Sequence, residues 1–106
     1  MSKRLEMLEK LIANGSRDPF HHYARALELR GLGRPAEALT ALTALIESQG
    51  SYVPSYLMAA QLAAELGERS RAAGLAASGL EEAKRAGDGH AQSELQSFCD
   101  GLAGED

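Results

Sequence analysis

The chain has 106 residues, an apolar share of 44% and a formal net charge of −4 from 15 acidic and 11 basic residues. That length suits one domain with a buried core, the apolar share excludes a disordered chain, and the acidic balance argues against a nucleic-acid binder, whose basic residues cluster on one face. Ala and Leu supply much of the apolar content, whereas Val occurs once (Val53), Ile twice (Ile12 and Ile46) and Trp not at all, so close-packed helices are expected rather than a β-sheet.

The opening residues, MSKRLEMLEK, carry charges at Lys3, Arg4, Glu6, Glu9 and Lys10 and no apolar stretch of the signal-peptide kind. Helical periodicity starts there and continues through nearly every segment. A first helix is predicted over about Lys3 to Ala13, with Leu5, Leu8, Leu11 and Ile12 on one face, and Asn14-Gly15 ends it. Asp18 is placed to cap a second helix whose first turn holds Pro19. That helix runs to about Leu32, with Phe20, Tyr23, Ala24 and Leu27 available for packing, and Gly31 and Gly33 mark its end. Pro35 opens a third, to about Ser48, carrying Ala38, Leu39, Leu42, Leu45 and Ile46.

After the break at Gln49-Gly50-Ser51, a fourth helix is predicted from Pro54 to Leu66-Gly67. It contains the longest apolar run, Tyr56 to Ala60, far short of the about 20 residues that a membrane span needs. A fifth covers about Arg69 to Ala86, and a sixth His90 to about Leu102, with Leu95, Phe98 and Leu102 in one stripe. Gly104-Glu105-Asp106 is expected to fray. The single cysteine, Cys99, gives no sign of an oxidising compartment, and a soluble cytoplasmic protein is the expectation. Lys3-Arg4 and Lys84-Arg85 are isolated basic pairs among acidic neighbours and fit solvated helix faces. With loops only a few residues long, neighbouring helices should run antiparallel.

The sequence also repeats itself. An offset of about 34 residues aligns Leu32-Gly33 with Leu66-Gly67, Ala26 with Ala60, Ala38 with Ala72, Glu47 with Glu81 and His22 with Tyr56. The matches fall at the turn between helices and at small residues where two helices would cross. In this the chain resembles a tetratricopeptide repeat, whose units are helix–turn–helix segments of about 34 residues. The aromatic, small, glycine and alanine places of that pattern hold Tyr56, Ala60, Gly67 and Ala72 in one unit and His22, Ala26, Gly33 and Ala38 in the other. The segment LGRPAEALTAL, from Leu32, is similar to the family's turn and second helix. The sequence departs from the pattern where Tyr56 and His22 replace Trp, where Ala59 and Arg25 replace Leu, and where Gly50 and Lys84 replace the closing Pro.

The resemblance implies an all-α domain over residues 1–106, a short stack of antiparallel hairpins with about six helices. It comprises a terminal helix at 1–15, repeats at 18–51 and 52–86, and a second terminal helix at 90–103. A two-helix unit has too little apolar surface to close a core alone, so units stack and terminal helices with polar outer faces close the ends. Gly74 and Gly79 each cost the fifth helix about 1 kcal/mol relative to Ala, which a close neighbouring backbone would explain.

Candidate chemistry is sparse. His21 and His22 point about 100° apart on a helix and cannot grip one ion as a pair spaced by one turn can; His90 or Cys99 would have to supply a third ligand. One histidine packed and the other solvated is the expectation. Cys99, beside Phe98, reads as a small buried hydrophobe, and Glu81-Glu82 and Glu65-Glu68 as solvated carboxylates. Gly31-Leu32-Gly33 follows no strand and is a helix stop. No nucleophile–base pair stands out, so an enzyme is not expected, nor is any metal or cofactor.

What remains is surface. In the family that the chain resembles, the first helix of each unit lines a groove for a peptide or partner helix. The corresponding places are Tyr23, Leu27 and Arg30 in one unit and Leu57, Gln61 and Ala64 in the next, each set spaced to share one helix face. The family's Lys/Asn set for a terminal carboxylate is absent, since Tyr23 and Leu57 occupy the Lys places. The implied role is a protein-interaction adaptor with another protein or peptide as partner, and no nucleic acid or membrane. A terminal helix filling the groove, a self-associating homodimer, and a small metal-binding protein using His21, His22 and Cys99 are the alternatives.

Overall fold

A helix begins with free amides and ends with free carbonyls, so the chain needs residues that satisfy both at every junction. The computed structural model describes residues 2–104 and contains six such segments: α1 (Lys3–Ala13), α2 (Pro19–Gly31), α3 (Pro35–Ser48), α4 (Pro54–Glu65), α5 (Arg69–Ala86) and α6 (Gly89–Ala103), with no strand among the described residues. Of the tail expected to fray, Glu105 and Asp106 lie outside the described residues.

Ser2 accepts from the Leu5 amide at 3.0 Å, Asp18 from Phe20 at 2.9 Å and Asp88 from Ala91 at 3.0 Å, capping α1, α2 and α6. Prolines open α2, α3 and α4, where the missing N–H costs nothing. The ends of α2 and α4 are built alike. Gly33 (φ 75°) and Gly67 (φ 80°) take the left-handed conformation that glycine adopts without strain. The Gly33 and Arg34 amides donate to Arg30 and Leu29 at 3.1 and 2.9 Å, and those of Gly67 and Glu68 donate to Ala64 and Ala63 at 3.0 and 2.8 Å. All four bonds map onto each other at the sequence offset, so the two turns are structurally equivalent.

Each helix packs on the next, and α6 also reaches α4. The result is a short stack of antiparallel hairpins with principal extents of 41 × 29 × 20 Å. Its radius of gyration, 13.9 Å, exceeds the about 13 Å of a rounder domain of 100 residues. Ala26, Ala38, Ala60 and Ala72, the small residues of the repeat, are each 0% exposed. One core cluster runs through Leu29, Leu42 and Leu62 with Ala26, Ala38 and Ala72, and a second gathers Val53, Tyr56, Ala60, Ala76, Ala83 and Leu95 where α4, α5 and α6 meet. Ile46, Leu75 and Phe98 touch both clusters, so the core is continuous along the stack. Arg69 at the start of α5 also donates to the Leu102 carbonyl near the end of α6.

Two expectations need correction. The outer face of α1 is not polar throughout, because Met7 and Leu11 are exposed there, at 56% and 38%. The two glycines of α5 also differ. A Cβ on Gly79 would lie 2.4 Å from Tyr56 Cβ and 3.2 Å from Leu95 Cδ2, so α4 passes close to α5 at that glycine. At Gly74 a Cβ would meet nothing within 4 Å, and no crossing accounts for that glycine.

Opposite effects of one substitution follow. Gly79→Ala forces α4 and α5 apart and should lower stability by about 1–3 kcal/mol. Gly74→Ala, in open space, should raise it by up to about 1 kcal/mol. Thermal unfolding of both variants checks this, and shifts of the same sign would refute the packing assignment.

Candidate functional site

The face shared by α2, α4 and α6 holds a cleft of about 280 Å³. From α2 comes Tyr23, in a helix that starts at the Asp18 cap and Pro19. From the start of α4 come Pro54, Leu57, Met58 and Gln61, with Val53 just before them. From α6 and its cap come Asp88, His90, Ala91, Glu94 and Leu95. A shallower depression continues the cleft along α4 and α6, sharing Leu57, Gln61, His90 and Glu94 and adding Ser93, Ser97 and Phe98.

Of the six residues singled out in the sequence, Tyr23, Leu57 and Gln61 line the cleft together. Leu27 lies one turn beyond Tyr23 and is 37% exposed. Ala64 is half-buried against the first core cluster. Arg30 is not a free arm: its guanidinium donates to Met58 Sδ at 2.9 Å, to Gln61 Oε1 at 3.5 Å and to the Glu65 carboxylate. It therefore ties α2 to α4 at the edge of the cleft.

The contribution of α6 was not anticipated. The repeat offset, applied once more to Tyr56, lands on His90, and that was the available signal. α6 stacks on α5 and reaches α4 without covering the cleft, where a terminal helix folded over it was the alternative expectation.

Three tyrosines stiffen this end of the stack. Tyr23 and Tyr52 meet edge to face with ring centroids 5.8 Å apart. Tyr56 is 4% exposed, and its hydroxyl donates to the Gly50 carbonyl at 2.6 Å, which fixes the linker between α3 and α4. Burial raises the Tyr23 phenol above its ordinary pKa; Arg30 works against this and Glu94 adds to it. Tyr52 is raised by burial, then by Tyr23 and Asp18. Tyr56 is raised by burial and Glu82, with Arg85 opposing.

The remaining candidates sort as structural groups. His21 and His22 are both half-buried, so the expectation of one packed and one solvated ring fails. Both are bound to Ser16: His21 Nδ1 lies 2.6 Å from its hydroxyl and His22 Nε2 lies 3.3 Å from its carbonyl. The short loop before α2 draws both rings back onto it. Among the described residues, no group of three or more His, Cys, Asp or Glu side chains could hold a metal ion. Cys99 is half-buried against the second core cluster. Glu68 pairs with Arg71 at 3.2 Å and Glu82 with Arg85 at 2.7 Å, as helix-surface carboxylates do. The Ser55 hydroxyl is buried with no hydrogen-bond partner among the described residues, at a cost of about 1–3 kcal/mol. No helix of the described residues is long and apolar enough to cross a membrane.

Comparison with known proteins agrees with this fold. A tetratricopeptide repeat domain protein from Salinibacter ruber is 30% identical over 85% of this chain. All of its crystal structure is covered, with a TM-score of 0.81, and 91% of its solution structure, with a TM-score of 0.82. A protein from Bordetella parapertussis, known from its solution structure, is 26% identical over 100% of this chain and 92% of its own, with a TM-score of 0.84. No protein-family model matches the sequence, and no curated protein matches it. The chain belongs to the tetratricopeptide repeat family.

The raised phenols tie stability to alkaline pH. Each is harder to ionise in the fold than in the unfolded chain, so its contribution is intact below the ordinary phenol value of about 10. It is lost as pH rises through the higher folded values. The urea midpoint should fall above about pH 10, with phenolate absorbance appearing later in the folded than in the unfolded protein. Coincident titrations would exclude this coupling.

Proposed function

We propose that this chain is a non-catalytic adaptor of the cytoplasm that holds a peptide or partner helix against the α2–α4–α6 face. In this reading, residues 18–51 and 52–86 are two repeats of one domain, with terminal helices at 1–15 and 90–103. The binding residues are Tyr23, Leu27, Arg30, Leu57, Gln61 and Ala64. No cofactor, metal, nucleic acid or membrane enters it. The observation that carries the reading is the open cleft: α2 presents Tyr23 to it and α4 presents Leu57 and Gln61, α6 lines its other side, and nothing of the described chain fills it. Tyr23 offers a large, rigid and amphipathic surface, the type of side chain on which binding energy concentrates.

Arg30 is a poor probe because it also braces α2 against α4. The test is Tyr23→Ala combined with Gln61→Ala. Recovery of a partner on the immobilised protein should fall roughly tenfold or more, while the helical circular dichroism stays as it was. Undiminished capture at unchanged helicity would dispose of the groove.

A second reading has one observation in its favour. Met7 and Leu11 lie one turn apart on the exposed side of α1, an apolar strip that a second copy of the chain would cover. Self-association through it predicts a dimeric mass in solution that Met7→Lys returns to the monomer. A monomeric parent protein removes this reading and leaves the first.

A further inference from the structure

The charge around the cleft narrows the kind of peptide that it accepts, provided that the α2–α4–α6 face is the binding face. The floor is apolar, formed by Leu57, Met58 and Leu95 with Pro54 at one side. The carboxylates of Asp88 and Glu94 stand on the α6 rim, and Glu94 is shared between the cleft and the depression that continues it. No lysine or arginine lines either hollow among the described residues. Arg30, which borders the cleft through Met58 and Gln61, is bound to the Glu65 carboxylate. Glu94 lies 3.2 Å from the His90 imidazole. The site is therefore an apolar seat with two carboxylates and no lysine or arginine in its lining, where Asp88 also caps α6 and Glu94 lies beside His90.

A volume of about 280 Å³ sits just under the range of about 300–1,000 Å³ typical of small-molecule pockets, and it suits one or two side chains of a chain lying across it. An acidic segment laid there would bring its carboxylates against Asp88 and Glu94. A basic one would satisfy them at the solvent edge, without the desolvation that a buried ion pair demands.

We propose that this cleft takes a basic, apolar peptide segment, with an aliphatic side chain seated on Leu57, Met58 and Leu95 and an adjacent arginine or lysine on Glu94 and Asp88. The apolar side chain supplies most of the affinity. The rim charges select against acidic sequences and speed the encounter.

The test uses the full chain labelled with nitrogen-15 and three blocked peptides: alternating leucine and arginine, alternating leucine and glutamate, and alternating serine and arginine. The leucine–arginine peptide should move the amides of Leu57, Gln61, Ala91 and Glu94, and each of the other two should bind them several-fold more weakly. Asp88→Asn with Glu94→Gln, which keeps a capping side chain on α6, should weaken the leucine–arginine peptide on the order of fivefold. On the parent protein, added salt should weaken it as well, a readout that needs no variant. Equal binding of the leucine–glutamate peptide at these amides, or indifference to both the double substitution and salt, overturns the charge selection and leaves the groove intact. If none of the three peptides moves these amides, both the selection and the groove reading fall.

Discussion

The structure depends on one constraint: a hairpin of two amphipathic helices buries one of its faces and leaves the other needing a neighbour. This chain meets it with alanine. Ala26, Ala38, Ala60 and Ala72 lie fully buried where helices cross, and small side chains there let the axes approach and the larger leucines interlock around them. At the tightest point even alanine is too large, and Gly79 makes room for Tyr56. Loss of any of these small residues does not remove a contact; it pushes apart two helices on which the next pair is stacked.

The same constraint leads from packing to function. Because each hairpin is covered by the next one along a single direction, the flanks of the stack are not consumed by the core. The flank made by α2, α4 and α6 keeps a cleft, and it does so because α6 continues the stack and does not fold back. Binding on such a flank is separable from stability in a way that a site in the core would not be. The exceptions are Tyr23 and Leu95, which line the cleft and also pack on the core, and Arg30, which joins α2 to α4 while bordering the cleft. Occupation of the cleft and the relative placement of the two hairpins meet at that side chain.

Local chemistry made most of the fold legible from residues alone. The helix ends are written in short-range code: Asp18 before Pro19, Leu-Gly at 32–33 and 66–67, and Asp88 ahead of α6. Such signals act between atoms a few residues apart and survive whatever the rest of the chain does. The alanine spacing and the repeated turn told which elements stack, and the equivalence of Gly33 and Gly67 followed from those same residues. Where the reading went astray, the missing information was a distance between parts far apart in sequence. Helical spacing puts Gly79 on the face of Ala72, Ala76 and Ala83 and Gly74 off it, but only the position of Tyr56 across the crossing shows how tight the approach at Gly79 is.

By itself, then, the amino-acid sequence determined an all-helical chain, the places where its helices start and stop, the small residues at their crossings and the family to which the whole conforms. Of the candidate groove residues, Leu57 and Gln61 were legible as neighbours because helical phase puts them on one face of α4, whereas the packing of the stack brings Tyr23 to them. Tertiary structure alone decided that Arg30 is engaged with Met58, Gln61 and Glu65, that both histidines turn back onto Ser16, and that α6 lends Asp88, Ala91 and Glu94 to the cleft. The reason is physical. Helix limits arise from interactions along the chain, whereas the lining and charge of a cleft depend on how far one rigid helix is displaced and rotated against others. That placement is set by the sum of packing over the entire stack and by no residue singly.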